Sequence, residues 1–226
     1  YKRQVQPEET PEVTEAPVET PEPSPEPVEN SLPDIDITSW EFILANPTHD
    51  IGDYAPTIDY LEGQPLDSRI VEPMREFVAA ARAQGLSVYL SSGYRDYTLQ
   101  TQLFNRKLGQ GYSPEDAAKI VAKPGTSEHQ LGLTVDIVDM GNQNLTEEQE
   151  QTPTQKWLMA NSWRYGFIHR YPTGKSEITG IIYEPWHYRY VGKEAAQEIF
   201  NKGITLEEYL GATHCCLLYT SPSPRD

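Results

Sequence analysis

Cysteine is nearly absent: the chain holds two, Cys215 and Cys216, side by side near its C-terminal end. A neighbouring pair cannot staple a fold or supply a thiolate zinc site. No run of about 18 apolar residues occurs, so no stretch of sequence reads as a membrane-spanning helix. Basic residues are scarce: 18 Lys plus Arg stand against 34 Asp plus Glu, a formal net charge of −16 over 226 residues. A chain this acidic lacks the basic face that phosphates require, which excludes nucleic acid as the main partner. No solenoid repeat is visible. The length is that of one ordinary domain with appended tails.

What is abundant is unevenly placed. The first 30 residues carry seven prolines and eight glutamates against Lys2 and Arg3. Such a segment cannot bury enough apolar area to offset its ordering entropy, so residues 1–33 read as a Pro/Glu/Thr-rich disordered linker. A self-repelling, Pro-rich spacer separates two things, which places an expected membrane anchor upstream of Tyr1. Residues 213–226 read as a non-native tail, because Cys216 to Asp226 looks like a translated sequencing adapter. The expected domain is therefore 34–212.

Within it, apolar spacing predicts a helix over 66–83, with Ile70, Met74, Phe77, Val78 and Ala81 on one face and Gly85 as a left-handed stop. A strand is expected at 86–91. A second helix is expected over 97–108, closed by Gly109, and a third opens at Ser113-Pro114-Glu115-Asp116 with a Ser cap and acids at the positive dipole end. A β-rich segment over 131–138 contains Asp136. Thr152-Pro153 starts a helix that stops at Gly166. Strands are expected at 167–170, 180–183 and 187–191, and helices at 193–201, closed by Gly203, and 206–210. Helices interleaved with short strands, without regular βαβ repetition, predict an α+β domain with a small, mainly antiparallel sheet flanked by helices.

Two of the five histidines have unusual company. His129 lies in Ser127-Glu128-His129-Gln130-Leu131-Gly132-Leu133-Thr134-Val135-Asp136. His187 lies in Glu184-Pro185-Trp186-His187-Tyr188. Imidazole and carboxylate are ordinary zinc ligands, and a catalytic zinc site uses three protein ligands and one open position. His129, Asp136 and His187 supply such a set. Glu184 is a nearby carboxylate able to take a proton from water. Pro185 argues against a helix through Glu184–His187, so the site is expected on sheet and loop. Asp139 reads as structural and His169 as a non-ligand, and His49 and His214 are expected to be exposed.

These segments resemble the VanY-like D-alanyl-D-alanine carboxypeptidases, zinc enzymes that trim peptidoglycan stem peptides. The family pattern is Ser-x-His-x-x-Gly-x-Ala-x-Asp followed by Glu-x-Trp-His. Ser127, His129, Gly132 and Asp136 match the first part, with Thr134 where alanine is usual. Glu184, Trp186 and His187 match the second. Ser92-Gly93-Tyr94-Arg95, with Gln100 and Leu103, looks like a third family segment, and the likeness covers roughly residues 50–210.

The resemblance implies the fold of the Hedgehog and DD-peptidase zinc domains. It implies zinc on His129, Asp136 and His187, and Glu184 as general base and then proton donor. Arg95 would stabilise the oxyanion or hold the substrate carboxylate, by charge-assisted hydrogen bonds. Gln100, Ser127, Tyr171 and Trp186 would line the substrate pocket. The implied activity is release of C-terminal D-alanine from stem peptides, in the cell envelope outside the cytoplasmic membrane; a monomer is expected because no heptad or long apolar edge suggests assembly. Alternatives are an LD-carboxypeptidase acting on tetrapeptide stems, a peptidoglycan endopeptidase and a non-catalytic zinc-binding module. The presence of both Glu184 and Arg95 favours an enzyme, since a pure binder needs no base beside its metal.

Overall fold

Helix α1 (Val71–Ala83) buries Val71, Met74, Phe77, Val78 and Ala81, the i, i+3, i+4, i+7 stripe of an amphipathic helix. Gly85 follows with φ 78°, the left-handed stop expected of it. The computed structural model describes residues 36 and 38–212. The expected linker, the C-terminal tail and His214 lie outside the described residues.

Before α1, a hairpin pairs β1 (Ile58–Leu61) with antiparallel β2 (Gln64–Asp67). The 66–83 helix reading is corrected here. Leu66 and Asp67 belong to β2, and Asp67 caps a short 3-10 turn over Ser68–Ile70 by accepting from the Arg69 amide. Glu62 (φ 51°) and Gly63 (φ 84°) supply the doubly left-handed turn that such a two-residue hairpin needs.

The main sheet has four strands: β3 (Val88–Ser92), β4 (Thr134–Asp139), β5 (Phe167–His169) and β6 (His187–Tyr190). Their order is β3-β4-β6-β5, with every pair antiparallel. Alternation divides the sheet into two faces. Val135 and Ile137 of β4 and Tyr188 of β6 join the apolar core under α1. Phe77 lies at its centre, stacked on Phe167 at 5.6 Å and meeting Tyr188 edge-on at 5.7 Å. Each fully buried side chain of this size contributes about 1.5–3 kcal/mol. The intervening residues, Asp136, His187 and Arg189, are also buried, on the opposite face.

The remaining helices are α2 (Tyr97–Gly109), α3 (Pro114–Ile120), α4 (Pro153–Asn161), α5 (Ser176–Thr179), α6 (Lys193–Lys202) and α7 (Leu206–Tyr209). Gly109 is the last residue of α2 rather than its stop; the left-handed residue is Gly111, φ 93°. Ser113 caps α3 as expected, accepting from the Asp116 amide. The strand expected at 180–183 does not form. That stretch pairs with no strand; its Ile182 amide bonds the Lys119 carbonyl at 3.2 Å instead. Its apolar residues Ile181 and Ile182 line a cavity, which is why the pattern imitated a strand. No helix among the described residues is long and apolar enough to cross a membrane.

One close approach fixes the loop after β3. A Cβ on Gly93 would collide with the Pro65 carbonyl of β2, so only glycine lets the two backbones meet. The Tyr94 amide seals the contact by donating to that carbonyl at 2.6 Å. Gly93→Ala is expected to lower stability by about 1–3 kcal/mol, read from urea denaturation, because the chain must move to admit the methyl group. An unchanged midpoint would refute the packing argument.

Candidate active site

Three strands carry the site in one cross-strand row: Ser92 of β3 opposes Asp136 of β4, which opposes His187 of β6. His129 arrives from a 3-10 turn over Glu128–Leu131. Gly132, at φ 72°, then reverses the chain into β4. Seven residues of sequence thus fold back so that His129 Nε2 lies 3.4 Å from Asp136 Oδ2. His187 Nδ1 lies 3.2 Å from Asp136 Oδ1, and the two imidazoles stand edge to face with centroids 5.1 Å apart. One donor atom from each of His129, Asp136 and His187 falls within 4.8 Å of the others, and all three residues are buried.

Each side chain is held from behind. The Gly93 carbonyl accepts from His129 Nδ1 at 2.7 Å, which turns Nε2 and its lone pair to the site. Trp186 is pinned through its carbonyl to the Ile137 amide at 2.8 Å. The Glu184 carbonyl takes His169 Nε2 at 3.1 Å and the His187 amide at 3.2 Å, leaving its carboxylate 3.3 Å from His187 Nδ1. Arg95 donates through Nε to Gln100 Oε1 (3.1 Å) and through Nη1 to Ser92 Oγ (2.9 Å), and stands 3.8 Å from Asp136.

The electrostatics call for a cation. Burial opposes ionisation of Asp136, yet the two imidazoles hold it below the ordinary carboxylate range. Burial and the Arg95 charge push His129 down to about 4, so it is neutral at pH 7. Burial disfavours charge on His187 too, but Asp136, Glu128 and Glu184 outweigh it and raise the group to about 10. Three carboxylates around one imidazole attract positive charge, whether a proton or a metal ion. Burial raises Glu184 above its usual value, against the pull of His187, which makes it a better base. Asp136 Oδ1 is buried with no hydrogen-bond partner, a costly state for a carboxylate unless a cation completes it. Two imidazoles and one carboxylate are the donor chemistry of a catalytic zinc site, so the residues present fit zinc.

His129, Asp136, His187, Glu184, Arg95, Ser127, Tyr171 and Trp186 all line one cavity of about 330 Å³, walled further by Leu103, Leu145 and Ile182. Gln100 does not. It is fully buried behind Arg95, its amide donating to the Ala122 carbonyl at 2.7 Å. The expectation that it lines the pocket is corrected to a support for Arg95. Asp139 is structural, capping the Gly141 amide and accepting from Thr154; His169 is not in the donor cluster, and His49 is exposed. A second hollow of about 180 Å³, against α6, holds none of the candidate residues.

Sequence reasoning missed the layer behind His187. Glu128, Arg170, Arg189 and Glu207 are all buried and joined by ion pairs. A signal was available: Arg189 lies two residues after His187 on a strand and must share its face.

Fold and site together define one zinc-type donor set, with a buried carboxylate, Glu184, and a guanidinium, Arg95, lining the same cavity. Comparison with known proteins narrows this. Residues 63–193 match the family described as VanY: D-alanyl-D-alanine carboxypeptidase. A D-alanyl-D-alanine carboxypeptidase of Enterococcus faecalis is 42% identical over 185 residues, covering 77% of this chain and 67% of that protein. The chain spans smaller shares, 50% and 44%, of two further curated carboxypeptidases. The crystal structure of a mutant of the vancomycin resistance D,D-pentapeptidase VanY in complex with Zn(II) is 42% identical, with a TM-score of 0.66, covering 76% of this chain and 99% of that one. The LD-carboxypeptidase LdcB is 34% identical, also with a TM-score of 0.66, over 76% of this chain and 87% of its own. The chain belongs to the VanY family of D-alanyl-D-alanine carboxypeptidases.

Proposed function

We propose that this chain is a zinc-dependent carboxypeptidase that removes the C-terminal D-alanine from peptidoglycan stem peptides ending in D-Ala-D-Ala. The observation that carries the reading is the convergence of the His129–Asp136–His187 cluster, Glu184 and Arg95 on one cavity. His129, Asp136 and His187 would hold the metal. Zinc bound there would supply Lewis acidity toward water and the scissile carbonyl.

The chain's own groups do the rest. Glu184 accepts the proton of the attacking water and returns it to the leaving amine, which departs as free D-alanine. Arg95 uses its remaining N–H groups on the oxyanion or the terminal carboxylate, while Ser92 and Gln100 fix its plane. Tyr171, whose ring sits 4.6 Å from the His187 imidazole, Trp186 and Ser127 shape the walls. Arg95→Lys keeps the charge but loses the planar fork, and kcat/KM is expected to fall about 100-fold. Steady-state kinetics on a stem pentapeptide check this, and wild-type kinetics in the variant would remove Arg95 from the mechanism.

The substrate places the site of action in the cell envelope. The domain works there as a monomer, with residues 1–33 as a linker to an upstream anchor; the linker's composition supports this part of the reading. The likeness to LdcB gives weight to one alternative, cleavage of tetrapeptide stems. Incubation of the zinc-loaded protein with pentapeptide and tetrapeptide in parallel, following D-alanine by mass spectrometry, separates them. Release from the pentapeptide is expected. Release from the tetrapeptide alone would assign LD specificity, and release from neither would overturn the carboxypeptidase reading.

A further inference from the structure

The reading above gives Glu128 no task, although its carboxylate is fully buried beside a metal ligand. The two oxygens of that carboxylate face different ways. Oε1 takes both guanidinium groups, Arg170 Nε at 2.8 Å and Arg189 Nη1 at 2.7 Å. Oε2 is turned to His187, 3.6 Å from Nε2, with the Thr134 hydroxyl at 3.4 Å. His187 Nε2 is itself buried and without a hydrogen-bond partner, whereas Nδ1 on the other side of the ring faces Asp136 and Glu184.

A neutral imidazole carries its proton on one nitrogen and a lone pair on the other. If His187 ligates through Nδ1, the proton must sit on Nε2, and the group facing Nε2 must accept it. An ionised carboxylate can only accept. Both arginines bond Oε1 of Glu128 and leave Oε2 turned to the imidazole, and Glu207 occupies the rest of Arg170 through Nη1 (2.8 Å) and Nη2 (2.5 Å). A shift of under about 1 Å would bring Oε2 to hydrogen-bond distance.

We propose that Glu128 is the positioning residue for His187: it fixes the Nε2-protonated tautomer and so presents Nδ1 to the metal. The inference rests on the zinc reading. It makes the two histidine ligands unlike. His129 is set by a neutral carbonyl, that of Gly93, and offers Nε2. His187 is set by an anion and offers Nδ1, the more basic arrangement. One short turn does both jobs, because Glu128 and His129 are neighbours in sequence: it supplies one ligand and the acceptor that orients the other.

The test compares wild type, Glu128→Gln and Glu207→Gln by zinc titration against a chromophoric chelator. Both variants remove one negative charge from the arginine cluster, but only Glu128 faces His187. Glu128→Gln is expected to weaken zinc binding about 10–100-fold, with Glu207→Gln close to wild type. Equal affinity in Glu128→Gln and wild type, or equal losses in both variants, overturns the proposal. A wild-type protein that binds no zinc overturns the zinc reading instead. Nitrogen-15 NMR of the zinc-loaded wild type gives a second check that needs no variant. His187 should be protonated at Nε2 and His129 at Nδ1, and a His187 protonated at Nδ1 refutes the assignment.

Discussion

Replacing Glu184 by Gln is expected to reduce kcat on a D-Ala-D-Ala pentapeptide by about 10³-fold or more while leaving one zinc bound. The shape of the side chain is kept, so the cavity and the three ligands stay in place. What disappears is the carboxylate proposed to move the proton. The general-base step alone is worth about 10²–10⁴-fold. In the proposed mechanism the same carboxylate serves twice, as acceptor from water and donor to the amine, so the loss belongs at the upper end. Glu184 suits the task because burial raises its proton affinity and the backbone around it is fixed through His169 and the His187 amide. The measurement pairs turnover with metal analysis. Retained turnover at one zinc per chain would sink the role of Glu184. Loss of both zinc and turnover would make it a ligand rather than a base.

The second large effect is on stability. Arg189→Met is expected to destabilise the domain by about 3–5 kcal/mol, the usual result of removing one member of a buried ion pair. Arg189 is fully buried, and its guanidinium donates to Glu128 Oε1 and to the carbonyls of Tyr190, Glu41 and Ile43 at 2.7–3.0 Å. Methionine fills much of the space but satisfies none of these acceptors. Of its two arginines Glu128 keeps only Arg170, and three carbonyls lose a donor. Urea denaturation of the zinc-loaded protein gives the number, with Arg75→Met as the control. Arg75 pairs with Glu72 on the exposed face of α1 and should be silent. A loss at Arg189 no larger than at Arg75 would show that the network carries no weight in the fold.

The sequence alone determined the local chemistry. The amphipathic face of α1, the glycine stops at Gly85 and Gly203, the cap at Ser113 and the helix start at Thr152-Pro153 depend on neighbours a few residues away, so they were legible; the helix expected to run to Gly166 ends at Asn161, and Gly166 closes a separate 3-10 turn over Ser162–Tyr165. The donor cluster was legible for a related reason: two short segments supply the imidazoles and the carboxylate, and the fold brings these donors within 4.8 Å of one another. Two misreadings came from apolar patterns that serve different ends. Leu66 continues the period of α1 but belongs to a strand, and Ile181 and Ile182 alternate like a strand but wall a cavity.

Tertiary structure decided everything that depends on distant partners. Whether Gln100 touches substrate or braces Arg95 turns on where α2 sits against residue Ala122. The buried network turns on pairings 37 to 61 residues apart, such as Arg170 with Glu207 and Arg189 with Glu128. In a chain with 34 acids and 18 bases, sequence cannot say which charges are taken out of water. That choice is made by the β4–β6 register, which sets Asp136 against His187 and thereby carries Arg189 inward on the same face. The type of each donor residue was written locally, but its orientation in the cluster is fixed by strands and turns that meet only in the folded protein.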